Sequence, residues 1–381
     1  MTIRDNAAND ANVVASRRMP NTVDAMMSIG SERSAAWAGR RVVVTGHTGF
    51  KGAWLSLWLW RMGAEVWGFS DAVPSTPAHT ELIGLDELID DRRGDISDPD
   101  AVSDLIAEVR PDVVFHLAAQ SLVRPSYVDP AETFQTNVMG AVRVLDASIR
   151  SEVPAVIVAA TDKCYENREW GWGYREDDPL GGHDPYSASK GAAEIVVNSF
   201  RRSFPGATKI ASIRAGNVVG PGDWSVDRLI PDAVRAATSG TELTVRNPGS
   251  TRPWQDVLDC LAGYLRAGEL LLNGEAVDRA WNIGPAAWEV ESVGDVVARF
   301  AAGWGAGFQW RVQPDDGPHE AGLLALDPTD ARRHLGWAPI RTVEESIDTL
   351  VAWHRAVAGG SDPRRCSLDV LDAYAERTPL A

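Results

Sequence analysis

The chain has 381 residues, of which 44% are hydrophobic, 24% charged and 8% aromatic, and 53 acidic against 37 basic side chains leave a formal charge of -16. That length and balance support two domain-sized lobes with an ample core and exclude disordered, fibrous and mini-protein readings. The negative charge argues against a nucleic-acid or anionic-membrane surface, while a local basic groove for phosphate stays compatible with it.

Residues 1–36 mix Asn, Asp, Arg and Ser without the apolar core of roughly 7 to 15 residues that a secretory signal needs, and are expected to form a flexible extension ahead of the fold. From Arg41 the pattern becomes regular. Arg41 to Thr45 reads as a strand, a Gly-rich turn follows, Trp54 to Met62 has helical spacing, and Glu65 to Phe69 reads as the second strand. Ala101 to Arg110 is helical, Asp112 to Leu117 a buried strand, Thr133 to Arg150 an amphipathic helix and Ala155 to Ala160 another strand. Apolar strands alternating with helices define an α/β fold: a Rossmann-type, doubly wound parallel sheet covered on both faces. After about Ala215 the rhythm loosens into loops rich in Gly, Pro and Trp, which suits a smaller lobe. The expected division is an extension at 1–36, a dinucleotide-binding domain at 37–215 and a mainly substrate-binding domain at 216–381, with some segments returning to the first. Leu335 to Ala358 ends in an amphipathic helix with no functional reading.

The most apolar stretch, Ala53 to Trp60, stops at Arg61, far short of the roughly 18 residues of a membrane span. Cys164, Cys260 and Cys366 are too few and too scattered for a disulfide framework or a metal site, so the expected compartment is the cytoplasm.

Gly46-His47-Thr48-Gly49-Phe50-Lys51-Gly52 directly follows the first strand and opens the first helix. Small residues there permit a tight turn and close backbone approach, and a helix N-terminus offers free N–H groups to a pyrophosphate. Asp71, near the end of the second strand, is placed to bind the adenosine ribose hydroxyls, and no Arg or Lys lies between Arg61 and Arg92 to receive a 2′-phosphate. NAD is therefore favoured over NADP. Asp95 and Ile96 are candidates for the adenine, and Leu117, Ala118 and Ala119, small residues ending the fourth strand, for the cofactor lying across the sheet edge. Gln120, which follows, is a candidate substrate contact.

Tyr186 and Lys190 lie four residues apart, on one helix face. A tyrosine ionises near pH 10, so use as a base near neutrality needs a shift of roughly three units, which an adjacent ammonium and oxidised nicotinamide can supply together. Thr161 closes the fifth strand at the carboxyl edge, where its hydroxyl can meet the same substrate alcohol. These three specify hydride transfer from a secondary alcohol to NAD. Simple oxidation has no use for Asp162 and Lys163, the next two residues. They suit a second step, in which the new ketone acidifies the neighbouring C–H and a hydroxyl one carbon further is expelled. Asp162 would protonate the leaving hydroxyl, and Lys163 would be either the carbon base or a stabiliser of the enolate.

With Thr161-Asp162-Lys163-Cys164-Tyr165-Glu166-Asn167, Leu180 to Lys190, Arg214 to Gly220 and Arg252 to Gln255 in view, the chain resembles the extended short-chain dehydrogenases/reductases that modify nucleotide sugars. Within them it looks most like the CDP-glucose 4,6-dehydratases, whose pattern, like this sequence, has Lys after the Asp. The likeness runs from about Trp37 to Arg355. It implies a CDP-sugar substrate, a retained NAD and a homodimer through helices such as Thr133 to Arg150 and Tyr186 to Arg202. It further implies oxidation at C4, loss of water across C5 and C6, and hydride return to C6. Asn137 matches a position that helps hold the active-site backbone and the lysine, and is a candidate cofactor contact. Asn217 and Arg252 match positions that meet the diphosphate; Arg228 is a further candidate, and Trp224 or Trp254 is a candidate to stack on cytosine, with core packing the favoured alternative among 15 tryptophans. A dehydratase for another CDP-hexose or heptose, a 4-epimerase, and a catalytically silent nucleotide-sugar sensor remain the alternatives. The Lys51, Lys163 and Lys190 side chains all fall in these motifs, and the remaining lysine, Lys209, falls in none.

Overall fold

The computed structural model describes residues 35–286, 289–313 and 322–377. The extension expected at 1–36 lies, but for its last two residues, outside the described residues. Seven strands form one parallel sheet: β1 (Arg41–Thr45), β2 (Glu65–Ser70), β3 (Asp90–Arg93), β4 (Val113–His116), β5 (Ala155–Thr161), β6 (Lys209–Ala215) and β7 (Ala280–Ile283), in the order β7-β6-β5-β4-β1-β2-β3. The order reverses between β1 and β4, which opens a crevice at their carboxyl ends, the place where such sheets take ligands.

Period-two alternation divides the strand residues between two cores. Val42, Val44, Phe115, Ile157 and Ile213 face helices α1 (Phe50–Arg61) and α6 (Val257–Leu272). Val43, Val114, Val156 and Ile210 face α2 (Pro99–Val109), α3 (Gly140–Arg150) and α4 (Pro185–Ser203). Local chemistry fixes where helices start. Asp98 accepts from the backbone N–H of Asp100 and Ala101 with Pro99 in the first turn, and Asp184 accepts from Ser187 with Pro185 in the same place. A further core, in the second lobe, gathers α5 (Leu229–Ser239), α7 (Val293–Trp304) and α8 (Val343–Ala358) around Val234, Phe300 and Leu350, with a parallel strand pair, Glu242–Val245 and Gln309–Val312, on its flank.

The helix expected over Thr133 to Arg150 is present, its backbone helical throughout, but it widens at Gln135–Met139. A short helix Pro130–Phe134 and α3 are joined by one wide turn, Gln135–Met139. The final helix, α9 (Pro363–Arg377), docks through Tyr374, whose hydroxyl donates to Asp259 of α6 at 2.7 Å. Among the described residues no helix is long and apolar enough to cross a membrane.

Candidate active site

The β1–α1 turn is shaped by contact with the end of β4. Gly46 has φ +75°, and a Cβ there would stand 2.6 Å from the Ala118 nitrogen; one on Gly52 would stand 2.1 Å from the Gly46 carbonyl oxygen. Both glycines are therefore required by close approach. Thr48 is buried, its hydroxyl donating to the Ala72 carbonyl at 2.7 Å, so it ties the turn to the end of β2. α1 begins after Gly49 with no side-chain cap and no acidic residue in its first turn. Uncapped N–H groups behind a glycine turn fit the pyrophosphate of a dinucleotide.

Phe50, Leu117 and Ala119 line the cleft beyond the turn, whereas Ala118 is packed on Gly46. Asp71 follows β2 and Asp95 follows β3; both are exposed, each carboxylate accepting from a nearby backbone N–H, Ala72 at 2.7 Å and Ser97 at 2.6 Å. Ile96 is buried in the core beneath them. These three belong to the other end of the sheet edge and do not line the cleft.

Lys51 differs from its expected setting. Although it stands in the phosphate turn, its ammonium runs inward and donates to the Tyr264 hydroxyl of α6 at 3.1 Å. Burial pushes its pKa down.

At the end of β5 the Thr161 hydroxyl donates to Asp162 at 2.9 Å and accepts from the Lys163 N–H at 3.3 Å, capping a single turn, Asp162–Cys164. Asp162 is 1% exposed, and its Oδ2 has no hydrogen-bond partner. Burial pushes its pKa up, and Lys163, Thr161 and Arg252 pull in the other direction. The Lys163 ammonium lies 5.9 Å from the centre of the Tyr186 ring. Burial drives Tyr186 up to about 12 against the pull of Arg228 and a hydrogen bond with Thr161. Burial, then the charge of Lys51, brings Lys190 down to about 8. The Lys190 ammonium donates to the Ala159 carbonyl at 3.4 Å.

Asn137 sits in the wide turn before α3. Its amide donates to the Gln120 carbonyl at 3.0 Å and to Ser189 at 2.8 Å, and its oxygen accepts from the Gln120 N–H at 2.9 Å. The side chain thus ties the loop after β4 to the helix that carries Tyr186 and Lys190.

Two expected substrate contacts lie outside the cleft lining. Gln120 closes its own loop, donating to the Leu122 carbonyl at 3.0 Å and Thr133 at 3.1 Å while accepting from the Leu122 N–H, and it does not line the cleft. Trp224 packs edge-on against His354 at 5.0 Å in the core of the second lobe; of the two tryptophans expected to meet cytosine, Trp254 is the one in the cleft wall.

The cleft has a volume of about 660 Å³ and gathers Thr161, Asp162, Lys163, Tyr186 and Lys190 on one side with Asn217, Arg228 and Arg252 on the other. Arg228 reaches Ser121 at 3.2 Å and Asp223 at 3.5 Å, and Arg252 donates to the Thr251 carbonyl at 2.8 Å. Sequence reasoning missed Arg124, Arg246 and Asn247, which also line it. The only signal for the last two is their place beside the Pro248-Gly249 turn.

A doubly wound sheet with an uncapped glycine turn, and a buried Tyr186 with Lys190 on the same helix face beside a strand-end threonine, define a dinucleotide-dependent enzyme acting on an alcohol. The sequence profile of the NAD dependent epimerase/dehydratase family matches residues 42–284, and the chain belongs to that family; its cofactor is NAD. It is 44% identical over 351 residues, 90% of this chain and 98% of the other, to the CDP-glucose 4,6-dehydratase of Salmonella typhimurium. Among solved structures, it is similar to a UDP-glucose 4-epimerase from Thermus thermophilus in complex with NAD, with TM-score 0.72, 26% identity, and coverage of 83% of this chain and 99% of that one. A dTDP-glucose 4,6-dehydratase from Streptomyces venezuelae shares the fold, with TM-score 0.73 and 23% identity over 85% of this chain and 99% of that one.

Proposed function

We propose that the protein dehydrates CDP-glucose to CDP-4-dehydro-6-deoxyglucose, as a hydro-lyase that retains its NAD. The observation that carries this reading is the Asp162–Lys163 turn, buried beside Tyr186 in one cleft, since an epimerase has no use for the acid. The relative from Salmonella typhimurium supports the choice of cytidine.

When bound, NAD supplies the acceptor for the C4 hydrogen and the donor that returns it to C6. Tyr186, as phenolate, takes the C4 hydroxyl proton with Thr161 hydrogen-bonded to the same oxygen, and Lys190 favours the ionised phenol. The C4 ketone acidifies the C5 hydrogen, and Lys163 serves that carbon. Asp162, whose pKa burial raises, gives its proton to the C6 hydroxyl, which departs as water. A proton is then restored to C5 as the hydrogen reaches C6, so the overall change is loss of one water with no net oxidation. Asn217, Arg228 and Arg252 meet the diphosphate, the last two through guanidinium groups shaped for it. Asp71, Asp95 and Ile96 attend the adenosine, and Asn137 holds the loop across which the cofactor lies.

In this reading residues 37–215 are mainly the cofactor domain and 216–381 mainly the substrate domain. The working unit is a homodimer. Tyr127, Val128, Phe134, Met139 and Ile195 are exposed apolar side chains on the short helices Val123–Val128 and Pro130–Phe134, the wide turn after them and α4, elements that pack on one another. The compartment is the cytoplasm, in keeping with cysteines that form no disulfide among the described residues.

Purified protein is incubated with CDP-glucose, with dTDP-, UDP- and GDP-hexoses, and with CDP-heptoses, and the alkali-induced ultraviolet band of a 4-keto sugar is measured. Formation from CDP-glucose ahead of the others is expected. No band from any of them, in protein that still binds NAD, overturns the dehydratase reading.

A further inference from the structure

The helix that carries Tyr186 and Lys190 touches the Asp162–Cys164 turn at two places. The first is a backbone approach at Gly191, where a Cβ would stand 2.7 Å from the Gly181 carbonyl oxygen and 3.2 Å from that of Cys164. The second is a buried polar bridge one turn further along the helix. Glu194, 3% exposed, accepts from Arg214 Nε at 2.8 Å and from a second nitrogen of the same guanidinium. The remaining Arg214 nitrogen donates to the Tyr165 hydroxyl and to the Glu176 carbonyl, both at 2.8 Å. The Tyr165 hydroxyl in turn donates to Asn282 of β7 at 2.7 Å, and the Asn282 amide donates to the Tyr174 carbonyl at 2.8 Å.

The bridge therefore runs from α4 through β6 to the residue that follows the Asp162–Cys164 turn, and ends on the sheet edge. None of its side chains lines the cleft except that of Tyr165. Removing a buried ion pair from water costs about as much as its attraction returns, so a net gain in stability is a weak reason for it. Its position gives a better one. Catalytic groups displaced by about 1 Å can lose a hundredfold in rate, and here two pairs of such groups sit on two separate elements.

We propose that Arg214 and Tyr165 are positioning residues that hold the Asp162–Cys164 turn against α4, fixing the separation between the acid–base pair of the elimination and the Tyr186–Lys190 pair of the oxidation. The inference rests on the dehydratase reading. Oxidation at C4 needs only Tyr186, Lys190 and Thr161, whereas elimination needs Asp162 and Lys163 in register with them, so the bridge serves the second step more than the first.

The test uses NAD-loaded enzyme carrying Tyr165→Phe, which deletes one hydroxyl, or Arg214→Lys, which keeps the charge and shortens its reach. Each is mixed with CDP-glucose while reduced nicotinamide and keto sugar are followed together. Elimination is expected to slow about 10- to 100-fold with oxidation nearly unchanged, so that reduced nicotinamide accumulates in either variant that folds as the wild type does by near-ultraviolet circular dichroism. No accumulation in either variant, with both half-reactions falling only in proportion to the folded fraction or not falling at all, overturns the positioning role. The wild type separates this from the parent reading: no keto sugar from it overturns the dehydratase assignment and the inference with it, whereas keto sugar from wild type without accumulation in the variants overturns the inference alone.

Discussion

Lys51 of α1 and Tyr264 of α6 meet at 3.1 Å, joining the dinucleotide turn to a helix some two hundred positions away in the chain. Tyr264 is buried and Lys51 half-buried, and desolvation pushes the lysine down and the tyrosine up. Deleting the phenol oxygen takes an acceptor from a half-buried ammonium, while deleting the ammonium removes the charge that needed one. Tyr264→Phe is therefore expected to cost about 1 to 3 kcal/mol, and Lys51→Met to cost less. Urea midpoints of both variants check the order, and the reverse ranking would contradict it.

Asp162 acts as an acid only while protonated, so the elimination step should fade as pH rises through its raised pKa. In Asp162→Asn that alkaline limb is expected to vanish, and the step to slow by about 10²- to 10⁴-fold while C4 oxidation survives. Stopped-flow absorbance of reduced nicotinamide reads the result; an unaltered alkaline limb rules the assignment out.

The base Tyr186 works in the opposite sense, since it must lose its proton. Lys190 favours the phenolate, so its removal should raise the tyrosine pKa and move the acid-side limb of kcat/KM to higher pH, by about one unit for each 1.4 kcal/mol of lost attraction. Lys190→Met in NAD-loaded enzyme tests this, and a limb that stays in place refutes the pairing.

Lys163→Met distinguishes proton transfer from charge stabilisation. With the lysine as C5 base, the variant is expected to lose solvent deuterium incorporation at C5, as measured by mass spectrometry of the product. Incorporation at the wild-type level leaves it a stabiliser of the enolate.

Stability should carry its own pH signature. His354, buried between Trp224 and Trp353 with its Nε2 unpartnered, is held down to about 3 by burial, and His79 beside Trp353 likewise. An unfolded histidine protonates near pH 6.5, so between there and about 3 the unfolded chain binds the extra proton, and stability declines as pH falls. Asp259, raised to about 7 by burial and by Asp256, opposes this, because its folded form holds a proton that the unfolded form releases. Comparing His354→Leu with wild type isolates the histidine. The stability difference between about pH 7.5 and about pH 5.5 should shrink by roughly 1.4 kcal/mol in the variant, and urea denaturation at both values measures it.

The sequence disclosed most where local pattern and tertiary role coincide. β1, its glycine turn and α1 were legible because a β-branched run, a tight turn and helical spacing follow one another. The Tyr186–Lys190 pair was legible because four residues make one helix face. β3 was not, since Asp90, Asp91, Arg92 and Arg93 form an edge strand with charged side chains and no apolar run. The widened turn at Gln135–Met139 escaped notice because an extra residue in one turn barely disturbs the apolar spacing. Trp224 and Trp254 were indistinguishable among 15 tryptophans, as their separation depends on His354, a hundred positions onward. The bridge through Arg214 was hidden for a similar reason: its partners come from four separate segments, and an isolated Arg or Glu looks like a solvated surface residue.

Among the described residues β7 pairs only with β6, yet it is made from residues 280–283 of a chain of 381, after the polypeptide has passed through α5 and the strand Glu242–Val245 of the second lobe. During synthesis, β6 must wait with one edge open while nearly seventy further residues leave the ribosome. Asn282, the last anchor of the Tyr165 hydroxyl, arrives with that strand. The nucleotide half therefore cannot mature as an independent N-terminal unit, and nascent chains stalled before β7 emerges are the ones that present an unpaired sheet edge to chaperones.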